Sequence, residues 1–232
     1  NANVSSSELS EILEYELNSG EKIDIITLDN RATYMSTLEG WLFPLSYCGI
    51  TEEDYEQLYP YSLDYGRGYD DEMYSLCLAA YPGGYFYHST LAEEYLGVST
   101  SEEMQALIGS WENFAATGDI LYNNSNGKIA MADSVGGMCN AFINGRNQPL
   151  FATGNELNVT SEMNSFVNTL NQMWGQGSLL HNEQWDYQWF ESFNDGSCLG
   201  VFMAEWGAHE KGILSEYYEN NNSDWAFCQG PS

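Results

Sequence analysis

The sequence predicts an α/β fold with mixed sheets, and three observations carry that expectation. Apolar runs at helical spacing alternate along the chain with short β-rich runs. Hydrophobic residues make up 43% of the chain and aromatics 15%, ample for a packed core. No repeat, low-complexity tract or long linker divides the 232 residues, so any lobe boundary has to be a strand crossing rather than a tether.

Taken in order, Ser5 and Glu8 have capping-box spacing, Leu9, Ile12, Leu13 and Leu17 share one helical face, and Gly20 stops that helix. The run IDIITLD that follows is apolar on both faces, as an interior parallel strand should be. It ends at Asp29, Asn30 and Arg31. Ligands in open α/β sheets bind beyond the carboxyl ends of strands, so these three are candidate binding residues, although Asp29 is equally suited to capping the next helix.

Residues 41–74 are rich in Tyr, Asp, Glu and Gly and suggest a short helix capped by Thr51 among irregular loops. Two strand-like runs then meet at Tyr81-Pro82-Gly83-Gly84, a sequence suited to a bend, a crossing between lobes or close approach of backbone to a ligand. A helix through Leu91, Tyr95 and Leu96 follows. The next helix opens on a Ser99–Glu102 capping box, carries Met104, Leu107, Ile108, Trp111 and Phe114, and is expected to run to Gly118. Asn126-Gly127 reads as a turn into a strand that ends near Asp133. Asn124, Asn126 and Gly127 lack the neighbouring carboxylates a calcium loop needs, so a plain turn is expected. Beyond the loop-rich stretch NGRNQPLFATGNELNVT, Met163, Phe166, Val167, Leu170, Met173 and Trp174 mark a third long helix. Trp185, Trp189, Phe190 and Phe193 mark a fourth, closed by Asn194-Asp195-Gly196, and these aromatic stripes read as core. A buried strand, Cys198 to Ala204, then ends abruptly on Glu205, Trp206 and Gly207.

Six Lys plus Arg against 34 Asp plus Glu give a formal net charge of −28, which repels phosphate backbones and anionic lipid headgroups and argues against nucleic-acid partners. No run of 18 apolar residues occurs, and the first residues lack the basic and apolar regions of a secretion signal. A chain that starts on Asn is expected to be a processed or trimmed piece. The five Cys are odd in number and widely spaced, which points to buried free thiols rather than a disulfide framework or zinc knuckle.

Catalytic signatures are missing: no Walker loop, no Gly-x-Ser-x-Gly elbow and no His-Glu-x-x-His helix. His88, His181 and His209 stand alone in the sequence, so neither a metal nor a cofactor is expected. What the chain does offer is aromatics beside polar groups at strand ends: Asp29 to Arg31, Tyr81, Asp133 and Glu205-Trp206. Aromatic faces stack on the apolar face of a pyranose while carboxylates and amides bind its hydroxyls, the combination by which a concave site holds a neutral sugar. Trp206 would be the stacking surface and Glu205 a hydroxyl acceptor or brace. Two alternatives stand beside this: a glycoside hydrolase using two of the many carboxylates, and a receptor for a cationic ligand drawn by the negative charge.

The stretches IDIITLD, GWLFPL, LCLAAYPGGYFYHSTLAEEYLG, WFESFNDGSCLGVFMAEWG and DWAFCQGPS occur in an order similar to extracellular solute-binding proteins of bacterial ABC transporters. The chain most resembles their carbohydrate-binding, maltose-binding-protein-like group, over nearly its whole length. The resemblance implies a two-lobed, type II periplasmic-binding-protein-like architecture with the first lobe incomplete: residues 1–83 partial lobe one, 84–226 lobe two, and 227–232 the start of the return crossing. It implies a non-enzymatic receptor that closes by a hinge around an oligosaccharide and delivers it to a permease. The implied location is outside the cytoplasmic membrane, held by a lipid anchor in a Gram-positive organism. The family's stacking Trp falls on Trp206, its polar strand end on Asp29 and its neighbours, and its crossing on Ala80 to Gly84, with Tyr81 as the contact. Glu205 departs from the Pro that many members carry, and Asp133 is added from its place at a strand end. An incomplete lobe would leave open sheet edges, so a partner segment, dimerisation or reduced stability is expected to compensate.

Overall fold

The computed structural model describes residues 15, 18–19, 24–27, 40–68, 70–146, 148, 156–207 and 224–231. The chain forms two compact units, Asn1–Ala80 and Tyr81–Ser232.

In the first unit Tyr15, Asn18 and Ser19 are helical, and the rest of the expected first helix lies outside the described residues. Residues 24–27, expected in an interior strand, carry no regular structure, and Ile25 is 90% exposed. A strand that is apolar on both faces holds only between neighbours that take its backbone bonds, and the described residues of this unit contain no named strand. A short 3-10 turn, Leu45–Cys48, ends at Gly49, and two short helices follow, α1 (Glu52–Tyr55) and α2 (Pro60–Asp64). Thr51 caps α1 as expected: its amide donates to Asp54 Oδ2 at 2.8 Å and its hydroxyl to the same oxygen at 3.2 Å. Cys48 is exposed, contrary to the expectation of a buried thiol, because it sits on the outer side of a turn with no buried residues. All five Cys are free.

The second unit is built on a three-stranded antiparallel sheet of order β2-β1-β3, with β1 Gly83–His88, β2 Gly200–Ala204 and β3 Trp225–Cys228. The expected strand before Tyr81 is absent. Between β1 and β2 the described residues form six helices: α3 (Ser89–Leu96), α4 (Ser101–Ile108), α5 (Trp111–Asn124), α6 (Val135–Gly145), α7 (Ser161–Gln176) and α8 (Tyr187–Asn194). The single helix expected from Ser99 to Gly118 is two. Ser110 breaks it by accepting from the Asn113 amide at 3.2 Å and opening α5, just as Thr100 accepts from Glu103 to open α4. Helix α6 was not expected; its three glycines depress helix propensity, yet Ser134 caps it and Met138 and Phe142, one turn apart, are buried.

The period of two along β1 serves two cores. Tyr85 and Tyr87 face a large cluster with Trp111, Phe114, Phe142, Phe166 and Phe202, while Phe86 faces a smaller one with Trp189, Phe193, Cys198, Val201 and Met203. The buried Tyr85 hydroxyl donates to the Met131 carbonyl, 2.5 Å. Gly200 is required where β2 meets β1, since a Cβ there would lie 2.3 Å from the Phe86 carbonyl oxygen. The turn at Asn126-Gly127 forms as expected, both residues at positive φ. Its continuation, 129–132, makes single parallel bridges on two sides, Ala130 with Cys198 and Ala132 with Leu179, and so delivers Asp133 to the interior beside α8. The bridges at Ala130 and Ala132 give the unit its mixed pairing.

Candidate functional site

The strand that opened the question ends for a definable reason. Ala204, the last residue of β2, pairs with Gly83, and the next amide, Glu205 N–H, donates to the Pro82 carbonyl at 2.9 Å. Proline has no N–H to return, so the ladder stops there. The chain coils into a 3-10 turn, Glu205–Gly207, which throws the Trp206 side chain outward. Gly207 packs directly on the Met203 side chain, which a Cβ there would force to move.

Trp206 is 43% exposed, and it does not stand alone. Trp185, 49% exposed, lies parallel to it with ring centroids 5.7 Å apart and planes at 11°. Sequence reasoning placed Trp185 in a buried helical stripe. The helix instead starts at Tyr187, because Asp186 is its cap, accepting from the Trp189 amide at 2.7 Å. An Asp directly after a Trp and before an apolar-periodic run is the signal that would have put this indole outside the helix. Its backbone has φ 78°, a region that bulky residues rarely occupy. Trp189, by contrast, is fully buried and tilted against Trp185 at 5.1 Å.

Asp133, expected at a ligand-facing strand end, is fully enclosed. Its Oδ2 accepts from the Trp189 indole Nε1 at 2.6 Å and from the Ser134 hydroxyl at 2.7 Å. Burial pushes its carboxyl up to about 6, opposed by hydrogen bonds from Ser134, Trp189 and the nearby Gln184 amide. Tyr81 is 58% exposed and joined through the adjacent Pro82 carbonyl to Glu205, itself exposed, so the backbone brings Tyr81, Glu205 and Trp206 to one corner. Asp29, Asn30 and Arg31 lie outside the described residues, as does His209. His88 is buried on the other side of the sheet's edge, 4.1 Å from the Trp225 ring, with burial holding it below the ordinary histidine range against the pull of Asp224. His181 stacks on Trp174. A hollow bordered by Phe142, Arg146, Asn158 and Glu162 shares no residue with the aromatic corner.

Chemically, the corner offers two parallel, half-exposed indoles, with the exposed residues Glu205 and Tyr81 brought near in the chain by the Glu205–Pro82 backbone bond. Among the described residues no cluster of His, Cys, Asp or Glu is spaced to hold a metal, and no helix is long and apolar enough to cross a membrane.

No protein-family model and no curated protein sequence matches the chain. Solved structures do. An extracellular solute-binding protein of family 1 superposes with a TM-score of 0.80 at 16% identity, covering 99% of this chain and 59% of that one. The sugar-binding protein MalE from Xanthomonas citri gives 0.77 at 14% identity, covering 100% and 58%. The galacto-N-biose-/lacto-N-biose I-binding protein of the ABC transporter from Bifidobacterium longum gives 0.74 at 20%, covering 99% and 55%. All three are binding proteins. The chain spans a little over half the length of each, and over that span it has the α/β fold of the type II, maltose-binding-protein-like solute-binding proteins.

Proposed function

We propose that this chain is a carbohydrate receptor that binds an oligosaccharide outside the cytoplasmic membrane and hands it to an ABC transporter permease. The observation that carries the reading is the exposed, parallel Trp185–Trp206 pair at the end of β2, on a fold shared with sugar-binding proteins. Buried aromatics need no explanation, whereas two large indoles left half in water at one corner are costly unless a ligand covers them. In this reading Trp206 and Trp185 stack on sugar rings, Glu205 and Tyr81 bind hydroxyls, and Asp29, Asn30 and Arg31 add polar contacts from lobe one. The lobes meet at the Tyr81–Gly84 crossing and close around the ligand by a hinge, driven by contacts made only in the closed state. A lipid anchor in a Gram-positive organism completes the proposal, and binding proceeds without turnover.

Titration calorimetry against an oligosaccharide panel tests this. Saccharide binding that weakens on Trp206→Ala is expected; binding indifferent to that substitution sinks it. Release of reducing ends on incubation would instead favour a hydrolase. Steep loss of affinity with salt would favour a cationic ligand, to which the −28 charge is suited, since a neutral sugar has no charge to screen.

A further inference from the structure

A carboxyl buried without a cationic partner is costly, and an apolar residue in its place would cost less. Asp133 is such a group: 0% exposed, with both hydrogen bonds on Oδ2 coming from neutral donors, Ser134 Oγ and Trp189 Nε1. What it holds is instructive. Trp189 lies in the first turn of α8, the ring of Trp185 leans on it from outside the helix across the Asp186 cap, and Trp185 in turn lies flat against Trp206. Trp185 keeps a left-handed backbone that a bulky residue retains only when its surroundings over-determine it. Asp186 pins the Trp189 amide, and Asp133 pins its indole, so the inner ring is fixed at both ends. The Gln184 amide, next to Trp185 in sequence, also lies by the Asp133 carboxyl.

We propose that Asp133 is a positioning residue for the exposed aromatic pair: by holding the Trp189 indole N–H it fixes the surface on which Trp185, and through it the Trp185–Trp206 stack, is set. This rests on the reading of that pair as the ligand-facing surface. The carboxylate acts through two rings and touches no ligand itself. Its strength as an acceptor depends on its charge, because a charge-assisted hydrogen bond is about twice as strong as a neutral one. The titratable groups that sense Asp133 are the Tyr85 phenol on β1 and the Cys198 thiol before β2. Burial raises both well above their ordinary values, so both stay neutral while Asp133 titrates.

Neighbouring indoles whose transition dipoles are skewed give an exciton couplet in circular dichroism, and because Trp185 couples to both Trp206 and Trp189, the couplet read here is the component of the ligand-free full chain's spectrum that Trp206→Phe removes. In the wild type the couplet is expected to weaken as pH falls through about 6. Asp133→Asn should show the weakened couplet at every pH with no transition, and in Trp189→Phe, which removes the indole N–H together with the Trp185–Trp189 coupling, no pH transition should remain. A thermal melt of each variant confirms folding. A wild type without a couplet, a couplet flat across the titration, or an Asp133→Asn variant that still shows the transition each overturns the proposal. Saccharide affinity measured on the same samples should fall about fivefold with the couplet, the difference between a charged and a neutral hydrogen bond. If the couplet behaves as expected while affinity ignores both pH and Trp206→Phe, Asp133 still positions the pair and the carbohydrate reading is what fails.

Discussion

Two aromatic clusters in the second unit are made of the same residue types and do different things. Under the sheet, Phe142 and Phe166 stack at 4.2 Å and 6°, walled in by Trp111, Phe114 and Phe202. At the end of β2, Trp185 and Trp206 stack almost as flat, but half in water. Ring geometry does not separate them; what lies on the far side of each ring does. The rings of the inner cluster are buried, so its energy goes into holding the fold, about 1.5–3 kcal/mol per buried side chain. The outer pair stays half exposed, and that surface is available to a partner.

The sharpest way to break this contrast is Phe114→Ala. Cutting a fully buried ring from the inner cluster should cost about 3–5 kcal/mol in urea unfolding while leaving the outer exciton couplet in place. Next comes the pH dependence of stability. The Asp133 carboxyl, at about 6 in the fold against 3.8 unfolded, is easier to protonate when folded. Its contribution is therefore most favourable below 3.8 and is lost as pH rises to about 6, a decline of about 3 kcal/mol. Asp133→Asn should lack that decline. His88, held low by burial, pulls in the opposite sense over neighbouring pH, so the difference between wild type and variant is the quantity to read.

A smaller effect on a different observable is expected from Trp206→Ala: saccharide binding weakened by about 2 kcal/mol, roughly thirtyfold. Its urea midpoint should hardly move. Should this variant lose as much stability as Phe114→Ala, the two clusters would be one kind and the contrast would fall. Smallest is Asp186→Ala, which removes the cap of α8 beside Trp185 and should cost about 1 kcal/mol of stability, together with part of the couplet.

The sequence made some of this legible because some signals are local. Thr51 and the Asn126-Gly127 turn act within a few residues of themselves and were readable, whereas the cap expected at Ser99 falls one residue later, on Thr100, which accepts from the Glu103 amide. The end of β2 at Glu205-Trp206 was readable as an apolar run that stops on a carboxylate, although the reason it stops, the missing N–H of Pro82 just before the neighbouring strand, is not local. Other features depend on contacts between distant segments. The partnership of Trp185 with Trp206 and the enclosure of Asp133 by Trp189 are set by how 129–132 threads between Leu179 and Cys198. Nothing local to Asp133 distinguishes a strand-end carboxylate in water from one sealed under an indole. Local signals also misled where two competed: Ser110 reads as an ordinary polar helix position until it is seen to accept from Asn113.

The order in which the sheet is assembled carries a further consequence. Its middle strand is the earliest of the three in the chain, and Tyr85 and Phe86 find their partners only at Phe202, Val201, Cys228 and Phe227. Closing loops of that length before any ladder bond forms makes such pairing slow. During synthesis β1 therefore emerges long before either flank exists, an aromatic segment with both edges open, and the helices between must hold it until its partners leave the ribosome. Chaperone dependence of folding yield should accordingly follow substitutions in Gly83–His88 more closely than those in α7.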